Sequence, residues 1–263
     1  GLSCAYYLAT MGYKPTVFEK NAEPGGMLRY GIPSYKLDKE VIKAEIDVMR
    51  EIGVEIKCGV EVGKDITIDA LRKQGYKGFY VAIGCQGGRL PGIPGEDLEG
   101  TMTAIDFLHE ANCGGKKISG KVVVVGGGNV AIDAARVAKR SGASEVTMLS
   151  LESEDIMPAS QEERMEARED GVVINPGWGP VKVEGQKSKV ESITFKKCLS
   201  VFDEQHKFAP KFDENETITL EADMVIFAIG QTVVLKDLLK DTKVEFVRGV
   251  YPVADKLTYQ TAE

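Results

Sequence analysis

The stretch with the clearest chemistry is Gly126-Gly127-Gly128-Asn129-Val130-Ala131. It matches Gly-x-Gly-x-x-Gly/Ala, a pattern suited to the pyrophosphate of a dinucleotide. Gly126 would make the tight turn. Gly128 would let the backbone approach the phosphates with no Cβ in the way. Ala131 would let the following helix pack close to the preceding strand. The N-terminus of that helix offers unpaired N–H groups and the positive end of its dipole to an anion. In a chain with 29 glycines among 263 residues the pattern alone decides little. Its context carries the reading. Four valines, residues 122–125, precede it, and an apolar helix rich in small residues follows.

A second signal says which dinucleotide. The next strand ends in Leu149-Ser150-Leu151-Glu152, and Glu152 stands 26 residues after Gly126. An acid near that distance bonds ribose hydroxyls, whereas a 2′-phosphate is usually met by Arg. No Arg lies between Arg140 and Arg164. The spacing therefore favours NADH over NADPH.

Other reactive residue types point nowhere specific. The five cysteines, Cys4, Cys58, Cys85, Cys113 and Cys198, form no Cys-x-x-Cys pair. A metal site or an iron–sulfur cluster held by this chain alone is not expected. Their dispersal suggests a reducing, cytoplasmic compartment. The two histidines, His109 and His206, are far apart in sequence, so neither a His-based metal site nor a triad is expected. Trp178, in Pro-Gly-Trp-Gly-Pro, reads as a packed turn. The acidic run 162–170 alternates with Arg164 and Arg168 and reads as a solvated helix face. Asp133 fits the dipole rule near a helix start.

Composition excludes several classes of function. Acidic residues (40) exceed basic ones (33), giving a net charge of -7 and a pI of about 5.2. Nucleic-acid binding domains usually carry basic patches and a high pI. No apolar run approaches the roughly 20 residues that span a bilayer. An apolar content of 43% is that of a folded globular protein, and about 150 residues per domain allows one or two domains.

The elements that position the motifs follow from periodicity. Residues 2–11 read as a buried helix stopped by Gly12, and 15–19 as a strand ending in Glu19. Residues 23–33 read as a loop. Asp38 caps a helix to about residue 52, with Val41, Ile42, Ile46 and Met49 on one face. Residues 54–58 and 78–83 read as strands, 67–74 as a short helix and 92–100 as a linker or crossover. A helix follows an N-cap at Thr103. After the glycine turn come a helix over 129–141 and a strand over 145–149. Ser160 and Glu163 form a capping box. Residues 172–219 read as an antiparallel flap, and 224–229 as a buried strand ended by Gly230. Strand–helix–strand alternation thus occurs twice, which predicts two doubly wound α/β units.

Three further stretches carry a family resemblance. They are Glu-Lys-x-x-x-Pro-Gly-Gly-x-x-x-x-Gly-Ile-Pro-x-x-Lys-Leu over 19–37, Ile93-Pro94-Gly95-Glu96-Asp97, and the paired strand ends Ala82-Ile83-Gly84 and Ala228-Ile229-Gly230. With them the chain resembles the small subunit of glutamate synthase and its relatives. These include the flavin-containing part of dihydropyrimidine dehydrogenase and the large subunit of NADH-dependent ferredoxin:NADP oxidoreductase. The resemblance implies two nested Rossmann-like dinucleotide-binding domains, the second inserted into the first. The FAD domain would span 1–113, the NAD(P) domain 114–232, and 233–263 would return to the FAD domain, which is truncated at both ends.

By resemblance, Gly1 is the last glycine of an FAD fingerprint and Glu19 bonds the FAD ribose. Lys20, Gly26, Met27, Leu28 and Lys36 would line the flavin, Val62 would lie by the adenine, and Ala82, Ile83 and Gly84 would close the site. Gly127, Gly128, Asn129, Val130, Leu151, Glu152, Ala228, Ile229 and Gly230 would hold the nicotinamide nucleotide. NADP-binding relatives carry Arg where this chain has Leu151 and Glu152. The chain then reads as the central part of a longer protein. It would pass hydride from NADH to FAD, and electrons onward to an iron–sulfur domain or partner subunit. Aligning two rings needs no acid–base side chain, so no catalytic residue is assigned. A redox cysteine pair is absent from the loop after Gly26, which argues against a disulfide reductase, and Cys85 reads as a small buried residue at a strand end. The alternative is a nucleotide-binding module or electron-relay scaffold without turnover.

Overall fold

The computed structural model describes residues 1–115, 117–249 and 251–261. The chain divides into two compact units. One comprises Gly1–Arg29, Ser34–Gly87 and Thr232–Glu263, the other Tyr30–Pro33 and Gly88–Gln231.

The first unit holds a parallel pair of strands, β1 (Thr16–Glu19) and β2 (Glu55–Cys58), in register from Thr16↔Glu55 to Glu19↔Cys58. Helix α1 (Leu2–Thr10) begins at Gly1. It was expected to be buried, but Ala5 alone of its residues is; Tyr7 and Met11 are exposed. The expected loop 23–33 contains a single helical turn, α2 (Gly26–Tyr30). Helix α3 (Lys39–Glu51) starts where the Asp38 side chain accepts the Glu40 N–H. Its inward face is Ile42 and Ile46; Val41, expected on that face, is exposed. Thr67 caps α4 (Ile68–Lys73). Residues 78–83, expected as a strand, are mostly exposed and have no ladder partner among the described residues. An apolar run becomes a strand only when a neighbour takes its N–H and C=O groups. Cys85 is accordingly exposed rather than buried at a strand end. The chain leaves this unit at β3 (Gly87–Gly88) and returns at β12 (Gln231–Thr232). A short hairpin, β13 (Phe246–Val247) with β14 (Tyr251–Pro252), follows.

The second unit is built on a parallel five-stranded sheet of order β4-β11-β5-β6-β7: β4 (Thr101–Thr103), β5 (Lys121–Val125), β6 (Glu145–Ser150), β7 (Val173–Pro176) and β11 (Met224–Phe227). Residues 88–113, expected in the first domain, belong here, because β4 hydrogen-bonds to β11 and α5 (Ala104–Gly114) packs on the same sheet. The valines of β5 explain why its apolar run is continuous. Val122 and Val124 face α5, α6 (Asn129–Arg140) and α7 (Gln161–Glu169). Val123 and Val125 face an antiparallel sheet of β8 (Trp178–Gln186), β9 (Lys189–Phe202) and β10 (Phe208–Glu221). Both faces of the strand are covered, so no polar alternation is needed. Residue 173 onward was expected to be flap, but β7 pairs in parallel with β6 as the sheet's outer strand.

Two local expectations change. Residues 92–100 are an anchored turn and not a linker. Glu96 Oε2 accepts the Gly92 and Ile93 N–H groups at 2.6 and 3.1 Å, and the Val183 N–H donates to Pro94 O at 2.8 Å. The acidic run on α7 does more than face water. Arg136, with a side chain 6% exposed, bonds Glu166 and Asp170, which fastens α7 to α6.

Candidate functional site

The C-terminal ends of β11, β5 and β6 lie side by side, and the expected residues of the second unit meet there. The chain turns sharply after Val125. A Cβ built on Gly126 would come 2.4 Å from Ala228 O, so only glycine allows this approach. The Ala228 N–H donates to Val125 O at 2.7 Å, and the Gly126 N–H to Leu149 O at 2.8 Å. Gly128 then caps α6, and a Cβ there would meet nothing within 4 Å. Open space therefore stands before the helix start. Ala131, on the first turn, is fully buried, as close helix–strand packing requires.

The helix starts divide in two. Side chains of Asp38, Thr67, Thr103 and Ser160 cap α3, α4, α5 and α7. Helices α1 and α6 begin at Gly1 and Gly128 with no capping side chain. Their first N–H groups are left for another acceptor.

Glu152 reaches back over this turn. Its backbone O accepts the Ser150 Oγ–H at 3.0 Å and the Gly177 N–H at 2.8 Å. Its carboxylate lies on Gly127, where a Cβ would come 2.6 Å from Oε2. Ser150 is buried and serves to hold the Glu152 backbone. Leu151 sends Cδ2 against Gly179 of β8. Asn129 Oδ1 accepts the Ser160 N–H at 3.0 Å, and the Ala159 N–H donates to Gly127 O at 2.9 Å. The expected capping box is thus only half formed: Ser160 caps Glu163, while Asn129 takes the bond Glu163 was to make. Val130 and Ile229 are exposed at the edge, and Gly230 follows Ile229.

Arg89 was not expected here. Its N–H donates to Gly230 O at 3.0 Å, and its Cδ lies 3.4 Å from where a Gly230 Cβ would be. Seven of the nine arginines pair with a carboxylate; among the described residues Arg89 and Arg248 do not. A lone arginine between Gly87-Gly88 and Pro91 was the available signal. On the other side, Cys198 donates its N–H to Gly177 O. Burial first, and among charges Glu152, push its thiol above the ordinary value.

In the first unit the expected residues lie on several elements. Gly1 meets Ala82, with a built Cβ 3.2 Å from the Ala82 Cβ. Glu19 ends β1, with Lys20 next to it, and its Oε1 accepts the Asn21 N–H at 2.8 Å. Asn21 Nδ2 is buried with no acceptor among the described residues. This is a donor fit for a ribose or phosphate oxygen. The Val60 N–H donates to Glu19 O, which brings the chain toward Val62. Gly26, Met27 and Leu28 form α2, with open space at Gly26. Lys36 and Ile83 are half-buried, and Gly84 is exposed. Among the described residues no helix is long and apolar enough to cross a membrane, and no cluster of three His, Cys, Asp or Glu side chains could hold a metal.

The family described as pyridine nucleotide-disulphide oxidoreductase matches residues 1–262. The NADP(+)-dependent formate dehydrogenase subunit beta of Moorella thermoacetica is 36% identical over all of this chain, which covers 37% of that protein. The NAD-dependent dihydropyrimidine dehydrogenase subunit PreT of Escherichia coli O157:H7 is 36% identical over 91% of this chain and 53% of its own length. The glutamate synthase [NADPH] small chain of Halomonas elongata is 37% identical over 88% of this chain and 51% of its own. The chain thus spans between about a third and about half of these relatives. In fold, it is similar to Mycobacterium tuberculosis FprA (TM-score 0.73, 19% identity, 89% of this chain and 68% of that one). It is also similar to T. acidophilum thioredoxin reductase (TM-score 0.64, 19% identity, 100% and 83%).

Proposed function

Since the chain belongs to the pyridine nucleotide-disulphide oxidoreductase family, we propose that it is the nucleotide-binding core of a flavoprotein oxidoreductase that takes hydride from NADH, with NADPH the weaker donor. FAD, when bound, accepts the hydride and releases electrons singly to a further acceptor. We place FAD on the first unit and the nicotinamide nucleotide on the second. In the first unit Gly1, Glu19 and the buried Asn21 Nδ2 would hold FAD's phosphate and ribose oxygens. In the second, the glycine turn and the start of α6 would take the pyrophosphate, and Glu152 the adenosine ribose. Ala228, Ile229 and Gly230 would border the nicotinamide side, with Arg89 beside them.

The observation that carries this reading is the Glu152 carboxylate resting on Gly127, at the mouth of an uncapped helix. A carboxylate there accepts ribose hydroxyls and repels a 2′-phosphate. The relatives' names divide between NAD and NADP(H), so the choice of nucleotide rests on this residue. Those relatives are named as subunits or chains of larger enzymes. This supports electron delivery to a partner subunit; that the acceptor is an iron–sulfur group and the setting cytoplasmic is part of the proposal.

The experiment is an anaerobic titration of the FAD-supplemented protein with NADH, read in the visible flavin spectrum. Bleaching by NADH at lower concentration than by NADPH is expected. Bound flavin that NADH does not bleach would replace this reading with a nucleotide-binding module lacking turnover. A preference for NADPH would overturn the assignment of Glu152.

A further inference from the structure

Lys197, on β9 of the antiparallel sheet, lies beside Gly177, the residue that follows β7. Its Nζ lies 3.6 Å from where a Cβ on Gly177 would be, and Gly177 donates its N–H to Glu152 O at 2.8 Å. Gly177 follows β7 and so stands on the β6–β7 side of the glycine turn, whereas Arg89 lies on the β11 side. Lys197 is therefore next to the strand end that carries the ribose-binding acid.

The lysine is held in place. Its ammonium rests 4.7 Å from the centroid of the Trp178 ring, its cross-strand neighbour. The other cross-strand neighbour is Asp213, whose Oδ1 accepts the Asn215 N–H. Lys197 is half-buried, yet no carboxylate lies within ion-pair distance among the described residues. The adjacent Lys196, by contrast, pairs with Glu214. A half-buried cation fixed on an aromatic face without a counter-ion suits an anion supplied from outside.

We propose that Lys197 is a specificity-determining residue that draws the 2′-phosphate of NADPH and so opposes the repulsion from Glu152. The inference rests on the nicotinamide-nucleotide reading of the second unit. It makes the site biased toward NADH without closing it to NADPH. Lys197 adds little to NADH binding, because NADH has hydroxyls at the position it faces.

The test is calorimetric titration of the full chain with NADH and with NADPH, in the wild type, Lys197→Met and Lys197→Arg. Lys197→Met should weaken NADPH about tenfold and NADH no more than about twofold, the scale of one screened charge contact. Lys197→Arg should restore the NADPH affinity. The Lys197→Met loss should shrink as salt rises. If the wild type binds NADH and Lys197→Met moves both nucleotides equally or neither, the inference fails while the nucleotide site stands. If the wild type binds neither nucleotide, both readings fall.

Discussion

The carboxylate of Glu152 occupies the space that a side chain on Gly127 would need, with Oε2 2.6 Å from the position of a built Cβ. The acid just after β6 and the glycine after β5 are thus fitted to each other. Gly127→Ala meets only the far end of a flexible side chain and the Ser150 Cβ at 3.1 Å. The variant should fold, losing within about 1–3 kcal/mol, and bind NADH at least about tenfold more weakly. Gly126→Ala instead meets the backbone Ala228 O at 2.4 Å and should be the less stable of the two. Thermal melts alongside NADH titrations separate these effects.

Reversing the charge at Glu152 should reverse nucleotide choice. In Glu152→Arg the NADPH-to-NADH affinity ratio should rise by about a hundredfold, the effect of exchanging repulsion for attraction at one phosphate. Leu151 is left unchanged in this variant, because its side chain packs against Gly179. An unchanged ratio would mean that the ribose lies elsewhere.

Arg89 lies beside Gly230, on the opposite side of the turn from Glu152. Its contribution should be blind to the 2′ position. Arg89→Gln should weaken NADH and NADPH alike, by about tenfold, as expected for one charge-assisted hydrogen bond. A change in their ratio would contradict this placement.

The α6–α7 contact should make the second unit acid-sensitive. Burial pushes the Asp170 carboxyl up, but hydrogen bonds from Arg140 and Arg136, with their charges, outweigh it and hold the carboxyl below its ordinary value of 3.8. A depressed folded value stabilises the fold above the ordinary one, and this stabilisation is lost as pH falls from about 5 through and below 3.8. Asp170→Asn should cost about 1–3 kcal/mol at neutral pH and flatten this acid limb. Denaturant melts at neutral pH and at pH values near 4 would show it.

Local chemistry made the second unit's core legible. Four valines before a glycine turn and an alanine-rich helix follow from strand burial and helix packing, and the acid 26 residues on stands in the same stretch. The caps at Asp38, Thr103 and Ser160 were readable because each satisfies N–H groups within three residues of itself. What failed was what depends on distant partners. The apolar run 78–83 has strand composition, yet composition supplies no neighbour to bond to. Glu163 had the right spacing for a capping box, but Asn129, 31 residues earlier, reached the Ser160 N–H.

The amino-acid order by itself determined the glycine turn, the acid that follows it and the alternating α/β build, because each is set by residues near one another along the chain. Only the tertiary structure decided which groups flank that turn. Arg89 comes near it because its backbone is bonded to Gly230, and Lys197 comes beside Gly177, after β7, because β9 pairs with Trp178. Long-range strand pairing is fixed by the whole core, and so Arg89 and Lys197, unlike Glu152, are not found by spacing alone.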